Sequence, residues 1–201
     1  MAIKFKSTKS FKNLPCGHAQ YFDMTPDGKP GACAAVHGYD REVIFTFAGE
    51  IDQYGWIFPF GDLKKVKEFL EFYFDHTTIL AADDPRLDTI DLNQMDCGGL
   101  LGTLKVLPSG VSMEMSSMFI WERVNPFIYH RTGGRVYVER VECREHERNS
   151  AMLEVDEHLA IAQAEEYRSD YEMILKPYHE YEAPKQAVQR INSIGHIDYG
   201  R

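Results

Sequence analysis

The sequence has no run of about 18 apolar residues, so a helical membrane span is not expected. It also lacks a basic stripe. The net charge is -9 over 201 residues, and Lys4, Lys6, Lys9 and Lys12 are spread along an apparent strand as a solvated face. Both features disfavour a nucleic-acid partner. No Cys-x-x-Cys pair occurs. Cys16, Cys33, Cys97 and Cys143 lie far apart, which argues against a disulfide framework and reads as reduced thiols. Met1 to Lys6 alternates with charge too early for a signal peptide, and a cytoplasmic location is expected. There is no internal repeat and no low-complexity tract.

What is present suffices for one sizeable core, since 44% of the residues are hydrophobic. Residues 3 to 12 alternate as a strand. A loop follows at Asp27-Gly28-Lys29-Pro30-Gly31. Residues 43 to 48 read as a second strand, and residues 56 to 60 as a third that ends at Pro59. Asp62 is placed to cap a helix over Leu63, Val66, Phe69, Leu70 and Tyr73. Residues 100 to 106 read as a strand, and a second helix starts at Pro108-Ser109 with Met115, Phe119, Ile120, Val124 and Phe127 on its apolar face. Residues 135 to 144 form a last strand whose apolar parity switches, predicting a bulge near Arg140. The order predicts an α+β fold, with helices on one face of an antiparallel sheet. Residues 154 to 201 hold ten acidic against five basic residues. They read as a charged helix through Leu175 and then a tail, an acidic extension to a domain spanning 1 to 153.

Several residues carry chemistry, each with a plainer alternative. His18 and His37 suit a metal, and His37-x-Tyr39 places two side chains on one strand face; either histidine alone also suits a structural role. Tyrosine is a poor zinc ligand. Cys33 lies among small residues with room for a substrate. It reads either as a thiolate base or as a small buried hydrophobe. Asp75-His76 suits a proton shuttle. Glu145 follows the last strand, where a carboxylate can accept two N–H bonds from a guanidine-like ligand edge; its bland reading is a solvated charge run.

In order and spacing, His18, Cys33, His37, Gly49-Glu50, Gly55-Trp56, Phe60-Gly61-Asp62-Leu63-Lys64, Asp75-His76 and Glu145 resemble the 6-pyruvoyl-tetrahydropterin synthase / 6-carboxy-tetrahydropterin synthase family over about residues 3 to 153. The resemblance implies the tunnelling fold, an antiparallel four-stranded sheet with two helices on one face. Its sheets associate into an oligomeric barrel, a homohexamer built as a dimer of trimers with active sites between subunits. It implies Zn2+ and a pterin substrate, 7,8-dihydroneopterin triphosphate. Carried over, Cys33 is the base, Asp75 and His76 its partners, Glu145 the pterin anchor, and His18 and His37 metal ligands. Two positions depart from the pattern. Tyr39 stands where the third zinc histidine belongs, and Pro59 replaces an aspartate. Cys16, two residues before His18, is a substitute donor.

The Gly49 to Trp56 turn is most similar to the branch that makes 6-carboxy-tetrahydropterin for queuosine and other 7-deazaguanines. The leading expectation is therefore a zinc-dependent lyase of that type. The alternatives are a pterin-side-chain enzyme with altered chemistry, which Tyr39 and Pro59 would favour, and a non-catalytic pterin- or purine-binding assembly protein, which the acidic extension would favour.

Overall fold

The computed structural model describes residues 3–22, 24–89, 103–108 and 110–175. The elements are β1 (Phe5–His18), β2 (His37–Gly49), α1 (Lys64–Phe74), β3 (Thr77–Ala81), β4 (Thr103–Leu107), α2 (Met113–Arg131), β5 (Val136–His146), β6 (Asn149–Glu154) and α3 (Glu157–Glu166). Cys97 and residues 176–201 lie outside the described residues. None of the described helices is long and apolar enough to cross a membrane.

The expected α+β class holds, but the four-stranded antiparallel sheet needs correction. The described sheet has six strands in the order β4-β3-β1-β2-β5-β6. It is mixed, because β3 runs parallel to both β1 and β4. Thr77, Thr78, Ile79 and Leu80 of β3 are all buried, so this strand has no polar face to alternate with and leaves no period-2 signal. The bulge predicted near Arg140 is present: Thr46 pairs with Arg140 and Phe47 with Val138, leaving Glu139 as the extra residue.

The strand expected at 56 to 60 does not form. The Asp52 carboxylate accepts from the N–H groups of Tyr54 and Trp56 at 2.8 and 2.9 Å, closing a turn. The Arg135 guanidinium then donates to the carbonyls of Glu50, Trp56 and Ile57. A side chain thus satisfies backbone groups that a neighbouring strand would otherwise take. The chain next tightens into a 3-10 turn over Phe60–Leu63. Helix α1 starts from Leu63 with no side-chain cap, so Asp62 is not its N-cap. It buries Val66, Phe69, Leu70, Tyr73 and Phe74, a spacing of three and four that keeps one face on the sheet.

Helix α2 begins later than expected, at Ser112, whose hydroxyl accepts from the Met115 N–H at 3.2 Å. It continues past Pro126, although proline brings no N–H and leaves the carbonyl four residues back without its helical donor. That carbonyl belongs to Glu122, and Gln163 of α3 donates to it through Nε2 at 2.9 Å. Asn125 completes the join. Its Nδ2 donates to the Ala160 carbonyl and to Gln163 Oε1, and its Oδ1 accepts from the Val138 N–H at 3.0 Å. The helix expected through Leu175 ends sooner: α3 stops at Glu166 and turns follow to 175, packed with α3 on α2, with Ala160, Tyr167, Ile174 and Leu175 in the main core.

Candidate active site

Strands β1 and β2 meet end to start. His18 closes β1, His37 opens β2, and the two are direct cross-strand partners, followed by Gly17 with Gly38 and Cys16 with Tyr39. Alternation sends His18 and Cys16 to the same face as His37, Tyr39 and Arg41. Between the two ring-bearing pairs, a Cβ on Gly38 would stand 3.0 Å from the Cys16 carbonyl oxygen, so glycine permits the close approach of the strands. Glu145 reaches the same face from β5.

The rings of His18 and His37 lie 4.3 Å apart between centroids. Tyr39 is 6.2 Å from His18 and 5.8 Å from His37. Glu145 Oε1 is 3.5 Å from His18 Nε2, a contact too long for a firm hydrogen bond. His37 Nδ1 lies 2.8 Å from the Ala35 carbonyl oxygen, which fixes the proton on Nδ1 and leaves Nε2 as a lone-pair donor. His18 is 5% exposed. Burial, then the charge of Arg41, then His37 push its pKa down to about 3, so it is a neutral imidazole at physiological pH. Among the described residues its buried Nδ1 has no hydrogen-bond partner.

Beneath these rings lies Arg41, 2% exposed. Nη1 donates to Ser116 Oγ at 2.9 Å and Nη2 to the Val111 carbonyl at 3.4 Å. The guanidinium faces the Phe74 ring, and among the described residues Nε has no hydrogen-bond partner. Reasoning from the sequence passed over this residue, yet its signal was present: His37, Tyr39 and Arg41 are spaced two apart on one strand. Cys16 is also buried here, and burial raises its thiol pKa against the opposing pull of Arg41. A thiol kept protonated is a poor substitute metal ligand.

Cys33 sits in the 3-10 turn Ala32–Ala34 just before β2. Its carbonyl accepts from the Gln20 N–H at 2.7 Å, tying the turn to the chain leaving β1 two residues after His18. Cys33 is exposed. Asp75 and His76 lie where α1 passes into β3. Asp75 Oδ1 and His76 Nδ1 are 2.5 Å apart. The His76 side chain is 84% exposed, and its backbone sits at φ +53° with its N–H on the Pro15 carbonyl at 2.8 Å. Among the described residues no hydrogen bond or ring contact joins this pair to His18 or His37. The structure thus gathers His18, His37, Tyr39 and Glu145, with the Cys33 turn beside them, and holds Asp75-His76 as a separate, open pair.

Neutral His18 and the Nδ1-protonated His37 suit a divalent metal as a two-imidazole anchor. Oxygen donors, Tyr39 and Glu145, are the side chains flanking it. Among the described residues, no three His, Cys, Asp or Glu side chains converge as a ligand set.

Residues 8–156 match the family model for 6-pyruvoyl tetrahydropterin synthase. The chain belongs to the 6-pyruvoyl tetrahydropterin synthase family. Every site residue discussed above falls inside the matched span. No curated protein sequence matches the chain. Among solved structures it is similar to an uncharacterized protein from Wolinella succinogenes, at 21% identity and a TM-score of 0.64, over 77% of this chain and 100% of that one. It is also similar to a catalytic-residue mutant of 6-pyruvoyltetrahydropterin synthase from Plasmodium vivax, at 18% identity and a TM-score of 0.50, over 76% and 99% of the two chains. At these identities the likeness is one of fold.

Proposed function

We propose that this pterin-related lyase acts on 7,8-dihydroneopterin triphosphate as a 6-carboxy-tetrahydropterin synthase-like enzyme, supplying 7-deazaguanine or queuosine biosynthesis. The observation that carries the reading is the single sheet face bearing His18, His37, Tyr39 and Glu145, with a cysteine turn at its edge, in a chain of this family. Glu145 accepts from the pterin's 2-amino and ring N–H groups, a two-point contact that orients the ring. Cys33 takes and returns a proton at the substrate side chain. The Asp75–His76 pair, exposed in the protomer, serves as the proton relay, and assembly into a dimer of trimers would set it against a neighbouring subunit's site. His18 and His37 would hold Zn2+, which when bound polarises a side-chain oxygen. Burial, reinforced by the charge of Arg41, keeps His18 neutral for that role.

The test is product analysis after incubation with 7,8-dihydroneopterin triphosphate. Acetaldehyde and 6-carboxy-tetrahydropterin support the reading. One specific observation favours a second: Tyr39 occupies the third histidine's place, and a phenol beside the substrate side chain can serve a different cleavage. A different pterin product, with no acetaldehyde, would select that altered side-chain chemistry.

A further inference from the structure

Asp84 and Arg86 take no part in the cluster above, and the proposed reaction does not use them. Asp84 is 2% exposed, on the stretch after β3. Arg86 folds back on it. Nε lies 2.9 Å from Oδ1 and 3.2 Å from Oδ2, and Nη2 lies 2.6 Å from Oδ2. The Arg86 backbone N–H also donates to Oδ1 at 2.9 Å, which caps the 3-10 turn Pro85–Asp88. Burial alone would raise the Asp84 pKa, but the bonds from Arg86 outweigh it and hold the carboxyl below its ordinary value.

The remaining nitrogen of the fork points elsewhere. Arg86 Nη1 donates to the carbonyl oxygen of Ala34, the residue after Cys33. The same guanidinium lies 5.3 Å from the centre of the Tyr21 ring. Tyr21 follows Gln20, whose N–H holds the Cys33 carbonyl. Successive carbonyls of the cysteine turn are therefore gripped from two sides, one by backbone and one by a guanidinium seated on a buried carboxylate. An exposed ion pair fixes little. A forked, multiply bonded pair on a buried carboxylate is a rigid mount.

We propose that Asp84 and Arg86 are positioning residues: together they clamp the Ala32–Ala34 turn and so set the Cys33 thiol for proton transfer at the pterin side chain. This rests on the reading of Cys33 as the acid–base group. The clamp needs arginine, because a lysine ammonium cannot bond both the Asp84 carboxylate and the Ala34 carbonyl in fork geometry.

The experiment compares full-length wild type with Arg86→Ala, Arg86→Lys and Asp84→Asn. Hydrogen exchange at amides 32–36 reads the clamp without substrate, and steady-state turnover of 7,8-dihydroneopterin triphosphate reads its use. Arg86→Ala should speed exchange there by about tenfold and lower kcat by about 10- to 100-fold, with KM within about twofold. Millimolar guanidinium should restore part of that kcat and should do nothing for Asp84→Asn. If Arg86→Ala does not fold, Arg86→Lys carries the same comparison. Unchanged exchange at 32–36, or faster exchange with unchanged kcat, overturns the proposal. If wild type itself turns over no pterin, the lyase reading fails separately. The iodoacetamide rate at Cys33 then decides the clamp: a changed rate in Arg86→Ala keeps it, and an equal rate overturns it.

Discussion

His18 and His37 face each other as cross-strand partners, with ring centroids 4.3 Å apart, and only one of them is sealed from water. His18 is buried beside Arg41, while His37 is half-buried at the strand's start. Burial disfavours a charge on His18 most, and the charges of Arg41 and then His37 add to that cost.

That asymmetry predicts a pH dependence of stability. The folded pKa of His18 is about 3, against about 6.5 for a histidine in an unfolded chain. Below pH 6.5 the unfolded state binds the proton and the folded state does not, so stability falls as pH drops, until both states are protonated near pH 3. Between pH 7 and pH 5 this group should cost about 2 kcal/mol. Urea unfolding of wild type and His18→Gln at both pH values checks it: the variant's stability should change less over the interval. An equal change in both would assign the pH effect to other groups.

The same two rings predict metal behaviour. Protein purified without added zinc, then offered one equivalent, should retain it. His18→Gln and His37→Gln should each lose it. Plasma mass spectrometry and a competing chelator give the reading, and retention in the double variant would remove these residues from the metal's surroundings.

Glu145→Gln should raise KM far more than it lowers kcat. A neutral amide replaces a charge-assisted acceptor, a loss of about 1.5–3 kcal/mol. Steady-state kinetics reads the split. A fall in kcat alone would assign Glu145 to the chemical step instead of to holding the ring.

Gln163→Ala should destabilise the fold by about 1–3 kcal/mol, because it strips a donor from the part-buried Glu122 carbonyl and an acceptor from the buried Asn125. Denaturant unfolding measures it. A loss well under 1 kcal/mol would mean that water replaces the amide at the Pro126 break.

The family and the class of the fold were legible from a few spaced residues, and so was the bulge beside Arg140. Less legible were features that depend on partners distant in sequence. Strand β3 is buried on both faces and carries no alternation. Strand β6, Asn149–Glu154, is a short sheet edge in a polar stretch and lies beyond residues 135 to 144, the last strand expected from sequence. The apolar run Trp56 to Phe60 looked like a strand, but Asp52 and Arg135 absorb its backbone groups. Within the site, His18, His37, Tyr39 and Glu145 were named from sequence, but their common face needed the β1–β2 register. Arg41, Asp84 and Arg86 were missed, because a buried charge is recognised by what surrounds it.

The most direct test of the central claim is turnover of 7,8-dihydroneopterin triphosphate by wild type beside Cys33→Ala, with acetaldehyde and the pterin product both quantified. The predicted result is acetaldehyde and 6-carboxy-tetrahydropterin from wild type, and a kcat reduced by about 100-fold or more in Cys33→Ala with substrate still bound. No conversion by zinc-loaded wild type, or equal rates from both proteins, would contradict it.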